Sequence, residues 1–282
     1  PQCKIVWKKG IIEPKKSPDR IGAEYAVSVG ASIKLADGRG AIKLQDLPPG
    51  VWQLSEVFAR DAKIDDEGLA KFKGCEQLRK FTLNGTNVTG TGLVHLKDCD
   101  QLSELSLFGT SLTDEGLVHL KAIPNLASLN VCATKVTDEG LRHIMNCKNL
   151  TFLAVGHLKL TTSGVAHLKG CKKLETLWVD HNSLTDDSLE QLKTLESITD
   201  LGLWANPIGN AGLTHLKDFK KLTKLNLRDT KVTDDGLIHL HGLKSLSGIV
   251  LTGTTVTATG VAALQKALPK CEILWDGSEP KK

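Results

Sequence analysis

Aromatic residues are scarce in this chain, which has one tyrosine, five tryptophans and six phenylalanines among 282 residues. The hydrophobic fraction is nevertheless 40%, so most of the apolar material is aliphatic. A core of Leu, Val and Ile suits repeated, near-identical layers better than an irregular globule. An aromatic side chain on a predicted surface therefore needs an explanation of its own.

Long apolar runs and a strong charge of one sign are also missing. No stretch of 18 or more apolar residues occurs, so the sequence contains no predicted membrane-spanning helix. The net charge is only +4, and the lysines and arginines are interspersed with acids rather than clustered on a basic face. We therefore expect neither nucleic acid nor a membrane as a partner.

Cysteine occurs seven times without any CxxC pair. This spacing favours reduced, buried thiols over a disulfide framework, and it leans toward a cytoplasmic location while leaving the compartment open. The sequence starts Pro-Gln-Cys, with neither an initiator Met nor a signal-peptide pattern. These features favour a piece of a longer protein.

A strict 24-residue period runs through the chain from residue 51 onward. The first apolar position of each unit is Leu54, Leu78, Leu102, Leu126, Leu150, Leu174, Ile198, Leu222 or Leu246. Further apolar positions follow three and five residues later, as Leu105 and Leu107 follow Leu102. Apolar residues two apart are typical of a short strand with one buried face.

The second half of each unit has the pattern of a helix, clearest in Thr113-Asp114-Glu115-Gly116-Leu117. Thr is a common N-cap, and acids in the first turn suit the positive end of the helix dipole. Gly recurs in this turn in eight of nine units, with Ser188 as the exception. Because Gly costs a helix about 1 kcal/mol, its recurrence predicts close packing at this position.

A Thr or Asn three residues after the third apolar position, such as Thr110 or Asn182, completes the pattern L-x-x-L-x-L-x-x-N/T-x-L. Over residues 51–276 this pattern resembles the leucine-rich-repeat family. The resemblance implies an α/β right-handed solenoid, a horseshoe with a parallel sheet on its concave face and short helices on its convex face. The TDEGLxHLK helices resemble the subtype of planctomycete-type bacterial proteins, some of which also carry a kinase domain.

The segments outside the repeats suggest four parts. Residues 18–50 are predicted to form an N-terminal cap, with a helix over residues 17–30 and a hairpin that uses Ile33, Leu35, Ile42 and Leu44. Residues 51–276 hold nine repeats and a closing strand, and residues 277–282 are a tail. Residues 1–7 repeat the Pro, Cys, Ile and Trp of the closing segment 269–275. We interpret residues 1–17 as the last strand of a preceding module plus a linker, and we expect this strand to fray or to pair with an exposed edge.

Two columns of metal-binding residue types follow the repeat. Imidazoles recur at one helical position, in His95, His119, His143, His167, His215 and His239. Thiols recur where the helix returns to the strand, in Cys75, Cys99, Cys147 and Cys171. Equivalent side chains of stacked units point in parallel, whereas a metal needs ligands that converge on one ion. We expect no metal site and no cofactor.

Catalytic motifs are missing from the sequence. No GxSxG elbow, HExxH helix, phosphate-binding GxxxxGK[ST] loop or kinase catalytic loop occurs. Asp180, His181 and Ser183 allow a remote alternative, a hydrolase site, but a catalytic triad is normally assembled from separate segments. Cys132 is predicted to project from the open face of the sheet, where it would be a candidate reactive thiol.

The concave face carries the strongest functional signal. Phe152, Trp178 and Trp204 are predicted to form a diagonal across three neighbouring strands, because parallel strands lie about 4.8 Å apart. Exposed aromatics with a polar border are typical of binding sites. The polar border comprises His157, Asp180, His181, Asp200 and Arg228. The candidate ligand-binding residues are Phe108, Phe152, Trp178, Asp180, His181, Trp204 and Arg228.

These features predict a non-catalytic module that binds a protein or peptide on its concave face. A structural spacer in a multi-module chain, in contact with neighbouring repeat modules, is the alternative.

Overall fold

The computed structural model describes residues 16–277, which form one 12-stranded sheet with short helices along one side. The strands are β1 Ser32–Leu35, β2 Gly40–Ala41, β3 Leu54–Phe58, β4 Lys80–Thr82, β5 Glu104–Ser106, β6 Ser128–Asn130, β7 Phe152–Ala154, β8 Thr176–Trp178, β9 Asp200–Gly202, β10 Lys224–Asn226, β11 Gly248–Val250 and β12 Glu272–Leu274. From β3 onward each strand pairs in parallel with the next at an offset of 24 residues, as Leu225 pairs with Ile249. The predicted parallel solenoid is confirmed.

The helices are short and mix α and 3₁₀ geometry. The α-helices are α1 Pro18–Ser28, α2 Asp66–Leu69, α3 Asp114–Leu117, α4 Asp138–Ile144, α5 Thr162–Ala166, α6 Asp186–Leu192, α7 Asn210–Leu213, α8 Asp234–Leu237 and α9 Ala258–Ala267. The 3₁₀ segments are Leu44–Asp46, Ala70–Phe72, Thr91–Asp98, Val118–Ala122, His167–Gly170, Thr214–Asp218 and Ile238–Leu240. One continuous aliphatic core, from Ala23 to Cys271, fills the space between these segments and the sheet.

The N-terminal elements close one end of this core. The α1 helix begins after Ser17, whose hydroxyl accepts a hydrogen bond from the Arg20 backbone at 3.2 Å. Strand β1 pairs antiparallel with both β2 and β3, and Ile33 lies opposite Ala41. Ala41 is therefore the buried residue of β2, while Ile42 and Leu44 are 68% and 54% exposed. The predicted hairpin was wrong in using these two residues as its inward positions. The duplicated motif of residues 1–7 and its expected fraying lie outside the described residues.

Neighbouring repeats are joined at their first helical turns by a contact that we call the Asp–Thr clasp. The Asp114 carboxylate accepts hydrogen bonds from the backbone N–H and the hydroxyl of Thr137, at 2.8 and 2.6 Å. Asp234 makes the same pair of bonds to Thr257, also at 2.8 and 2.6 Å. The acid thus caps the next repeat's helix, in addition to its favourable position at its own helix N-terminus.

The clasp explains the glycine in the helical turn. A Cβ atom added to Gly164 would overlap the Asp138 carboxylate, and one added to Gly260 would overlap Asp234. The predicted close packing at this glycine is confirmed. Hydrogen bonds from Thr257 outweigh partial burial and lower the pKa of Asp234 below its usual value, so this acid is ionised at neutral pH.

Ser188 replaces the helical glycine in one repeat. The repeat before it has no acid at the position equivalent to Asp138. Thr162 stands there, and its hydroxyl lies 2.7 Å from the Ser188 hydroxyl. Ser188 Oγ also accepts the backbone N–H of Thr185 at 3.1 Å, the bond that an Asp carboxylate provides elsewhere. The Thr162–Ser188 pair is therefore an alternative to the Asp–Gly pair at this inter-repeat contact.

This pairing predicts a coupled response to mutation between Asp138 and Gly164. Gly164→Ser alone places a side chain on the Asp138 carboxylate, and Asp138→Thr alone leaves the Thr161 backbone N–H without its acceptor. We expect each to lower the free energy of unfolding by about 1–3 kcal/mol. The double variant recreates the Thr162/Ser188 arrangement and should recover at least about 1 kcal/mol of the summed loss.

Urea unfolding followed by circular dichroism measures all three variants. Gly242→Ser is the control, because a Cβ at Gly242 meets no other atom within 4 Å. Strictly additive losses at positions 138 and 164 would contradict the coupling.

Candidate functional site

Phe152, Trp178 and Trp204 lie edge to face in a continuous line that we call the aromatic row. The ring centroids of Phe152 and Trp178 are 5.1 Å apart, and those of Trp178 and Trp204 are 6.4 Å apart. The Trp178 indole N–H donates to Asp200 Oδ1 at 3.3 Å, which fixes the orientation of the ring. Trp178 remains 37% exposed, so this row offers apolar surface to solvent.

Gly202 in β9 makes room for the two indoles. A Cβ at this position would lie 2.5 Å from the Trp204 ring and 3.0 Å from the Trp178 ring. Gly202 does not have a positive φ, so its backbone conformation does not require glycine. A strand glycine of this kind marks the close approach of another group, here the two rings that lie over the sheet.

The two tryptophans form one wall of a groove of about 970 Å³ that continues across β9 to β12. We call it the concave groove. Val250, Leu274 and Trp275 line its far part, and Leu274 is 50% exposed. Asp200, Lys224 and Glu272 add charges of both signs to its lining. The apolar wall with a few charged groups has the composition of a ligand-binding surface.

Sequence reasoning missed the C-terminal half of this groove. The sequence predicted Trp275 only as part of a closing strand. In the structure Trp275 directly follows β12, and it lies 24 residues after Leu251, the equivalent buried residue of the preceding repeat. Strand β12 is the edge strand of the described sheet, and the Trp275 ring lines the groove beside Leu274. The repeat pattern alone did not distinguish Trp275 from the buried residues at equivalent positions.

Of the seven predicted binding residues, only Trp178 and Trp204 line the concave groove, and two of the others, Phe108 and Arg228, also lie outside the aromatic row. Phe108, which is 45% exposed, follows β5, and strand β6 separates it from Phe152. Arg228 is exposed, and its Nε atom donates to the adjacent Asp229 carboxylate at 3.1 Å. Neither residue lines the concave groove.

The polar border is also arranged differently from the prediction. Asp180 is only 5% exposed, so it adds little charge to the open face. Its Oδ2 atom lies 3.3 Å from His181 Nδ1 and 3.9 Å from His157 Nε2. We call these three residues the His–Asp cluster. The two imidazoles stack with their centroids 4.0 Å apart, and His181 lies edge-on to Trp204.

Within residues 16–277, no hydrogen bond connects the hydroxyl of Ser183 to His181. The Ser183 backbone N–H instead donates to Leu160 at 3.0 Å. The structure therefore brings Asp180 and His181 together, but it gives no support to a catalytic triad with Ser183.

The prediction of an accessible thiol at Cys132 was wrong. Cys132 is 8% exposed, and its Sγ atom accepts the backbone N–H of Gly156 at 3.0 Å. Burial raises the pKa of this thiol to about 11, with a smaller contribution from the negative charge of Asp180. The Sγ atom therefore lies against the neighbouring repeat rather than open to solvent.

The His and Cys columns remain separate side chains. In the described part of the chain, the only group of three His, Cys, Asp or Glu residues close enough to share an ion is the His–Asp cluster. Cys75, Cys99, Cys147 and Cys171 are buried, and burial raises the pKa of each thiol. Both columns follow from repetition, as the sequence predicted.

Comparisons with known proteins agree with this architecture. A family model described as leucine rich repeat matches residues 220–240. Internalin C2 from Listeria monocytogenes superposes with a TM-score of 0.59 at 20% identity, covering 85% of this chain and 94% of that one. A second internalin from the same organism, inlF, gives a TM-score of 0.53 at 19% identity, with coverages of 77% and 72%. No functionally curated protein matches the sequence.

The fold is therefore a leucine-rich-repeat solenoid. At these identities the similarity to the internalins concerns the fold alone. In residues 16–277 no helix has the length and apolar character needed to cross a membrane.

The burial of Cys132 at the concave face can be tested directly by thiol labelling. At pH 8 a thiol whose pKa is about 11 is ionised in about one molecule in a thousand, so it should react very slowly with a disulfide reagent. In a Cys3→Ser background, we expect almost no labelling of the six described cysteines in the native protein and labelling of all six in guanidinium chloride. Rapid labelling of one thiol that is lost in the Cys132→Ser variant would instead support the hypothesis that Cys132 is an accessible, reactive thiol.

Proposed function

We propose that this chain is a non-catalytic interaction module that binds an extended peptide segment in the concave groove. The observation that carries the proposal is the continuous apolar wall formed by Trp178 and Trp204 along that groove. Solvent-facing tryptophans beside a groove are the usual anchors of protein-binding surfaces. The general use of leucine-rich-repeat proteins in protein–protein interaction supports the same class of function.

The shape of the groove favours a peptide over a small molecule. It is open to solvent, and it crosses four strands, β9 to β12. Adjacent parallel strands are about 4.8 Å apart, so the groove spans roughly 15 Å, the length of about four or five extended residues. Charges of both signs along it, Asp200 and Glu272 against Lys224, favour a ligand of mixed charge over a polyanion.

A structural spacer remains the second candidate. The resemblance of the TDEGLxHLK helices to planctomycete-type repeat proteins, some of them linked to kinases, supports a module within a longer chain. A spacer would contact neighbouring modules through its ends rather than through its concave face. Substitutions in the groove should therefore impair a peptide-binding module but not a spacer.

Peptides selected from a displayed random library against the wild-type protein provide the test. We expect Trp178→Ala with Trp204→Ala to weaken binding of the selected peptides by about 10²–10³-fold, since such anchors contribute about 2 kcal/mol each. Isothermal titration calorimetry measures the dissociation constants. Ile238→Ala, which removes a 62% exposed side chain from a helical segment, is the control and should leave binding unchanged.

Gly248→Trp offers a second, independent substitution. A Cβ at Gly248 meets no atom within 4 Å, and the residue lines the groove, so a large side chain can fill the groove without disturbing the fold. We expect this variant to keep its melting temperature and to lose peptide binding. If every selected peptide binds both groove variants as tightly as the wild type, the groove is not the binding site.

A further inference from the structure

The His–Asp cluster lies where the turns after β7 and β8 meet. One potential ligand atom from each of His157, Asp180 and His181 lies within 4.8 Å of the other two. The three residues come from two repeats, with His157 in one and the Asp180–His181 pair in the next. His157 and His181 occupy equivalent positions of neighbouring repeats and their rings stack, so it is the adjacent Asp180 carboxylate that brings the three groups together.

Asp180 is the buried member of the cluster. Its side chain is only 8% exposed, whereas the side chains of His157 and His181 are 50% and 42% exposed. Among the described residues, only these two imidazoles lie within hydrogen-bond or ion-pair distance of the Asp180 carboxylate. A buried carboxylate is costly unless a cation or donors compensate its charge. A cation held between the carboxylate and the imidazoles would provide that compensation.

Gly156 allows Asp180 to take this position. A Cβ at Gly156 would lie 2.5 Å from Asp180 Oδ2, and Gly156 does not have a positive φ. The equivalent positions in the flanking repeats carry Cys132 and Asp180 themselves. The missing side chain lets the Asp180 carboxylate lie over the preceding strand, next to His157. The glycine is thus required by the position of a side chain rather than by the backbone.

The two histidines occupy an unusual position for a bulky side chain. Each repeat has a left-handed residue at this point of the turn, with φ of 57° for His157 and 49° for His181. Other repeats place Gly85, Gly109 or Gly253 here, which fit this conformation best. Two large imidazoles in succession, both beside the same buried carboxylate, are not explained by the needs of the backbone.

The buried Asn182 bonds to the turns that carry His157 and Asp180. Asn182 Oδ1 accepts the backbone N–H groups of Leu158 and Leu160, at 3.1 and 2.9 Å, on either side of the next left-handed residue, Lys159. Its amide donates to the carbonyl of Asp180 at 3.1 Å. At the equivalent position in other repeats, the Thr110 hydroxyl bonds only within its own repeat. Such outer-shell hydrogen bonds typically orient metal ligands.

We propose that His157, Asp180 and His181 bind one zinc ion. In a tetrahedral site with Zn–N bonds of about 2.0–2.1 Å, neighbouring ligand atoms are about 3.3 Å apart. Asp180 Oδ2 and His181 Nδ1 already have this separation, 3.3 Å. His157 Nε2, at 3.9 Å from Asp180 Oδ2, needs to approach by about half an ångström, and at least one of the two stacked rings must turn so that both ring nitrogens point at the ion. The side chains of His157 and His181 are 50% and 42% exposed, which permits this rotation. Three protein ligands leave a fourth position open to solvent.

The proposal does not rest on peptide binding in the groove, and its test uses zinc alone. Titration of the Cys3→Ser protein with zinc chloride, against a fluorescent zinc chelator, should reveal one saturable site. His157→Gly and His181→Gly introduce the residue that other repeats use at these positions, so the fold should be retained, as a thermal melt verifies. We expect each to weaken zinc binding at least about tenfold.

Asp180→Asn and Gly156→Ala should weaken zinc binding by a similar factor, the latter while all three ligands remain present. His143→Gln with His167→Gln removes two helix-face imidazoles and is the matched control, which should bind zinc like the wild type. With cobalt in place of zinc, the wild-type spectrum should show visible d–d bands and no thiolate charge-transfer band.

Zinc binding that survives in the double variant His157→Gly/His181→Gly would place the ion elsewhere and overturn the proposal. Zinc binding that disappears in the His143→Gln/His167→Gln control would do the same. The absence of a saturable site in the wild type would overturn it as well. Peptide binding in the groove is measured separately in chelator-treated protein, so failure of one proposal is distinguishable from failure of the other.

Discussion

The Asp–Thr clasp is the contact on which the regularity of this solenoid depends. Where it occurs, it joins the first helical turn of one repeat to that of the next across 23 residues, as Asp114 does with Thr137, while the sheet joins the same two repeats through parallel pairing at a 24-residue offset. Both connections must close at once, so an insertion in either half of such a repeat would break one of them. This double constraint favours a fixed repeat length.

A structure built on such exact repetition separates structural residues from functional ones. Equivalent side chains stay parallel, which keeps the His and Cys columns from converging. Groups converge only where one repeat differs from its neighbours. Gly156 and Gly202 are two such differences. Gly156 leaves room for Asp180 of the next repeat, and Gly202 leaves room for Trp204 of its own repeat and for Trp178 of the preceding one. The candidate sites therefore lie next to missing side chains.

This contrast explains what the sequence could predict. The repeat length, the strand register and the packing of the helical glycine follow from sequence patterns that recur from repeat to repeat. The fold was therefore predicted correctly. The burial of Asp180 and Cys132 was not predicted, because alternation assigns both residues to the open face. The direction of the Asp180 side chain depends on the space beside Gly156, which is a property of pairs of repeats. A glycine at an open-face position of one repeat is the signal in a sequence that indicates such space.

The concave groove and the His–Asp cluster are not independent parts of the surface. Trp204 lies between them, with its ring edge-on to both Trp178 and His181. One buried residue, Asn206, donates to the carbonyl of Trp204 at 3.3 Å and accepts the backbone N–H of Asn182 at 3.2 Å. The side-chain amide of Asn206 thus bonds both to the turn that carries Trp204 and to the turn that carries His181. Because that amide is buried and fully bonded, it holds both turns in one arrangement, and displacing either turn would break some of the same hydrogen bonds.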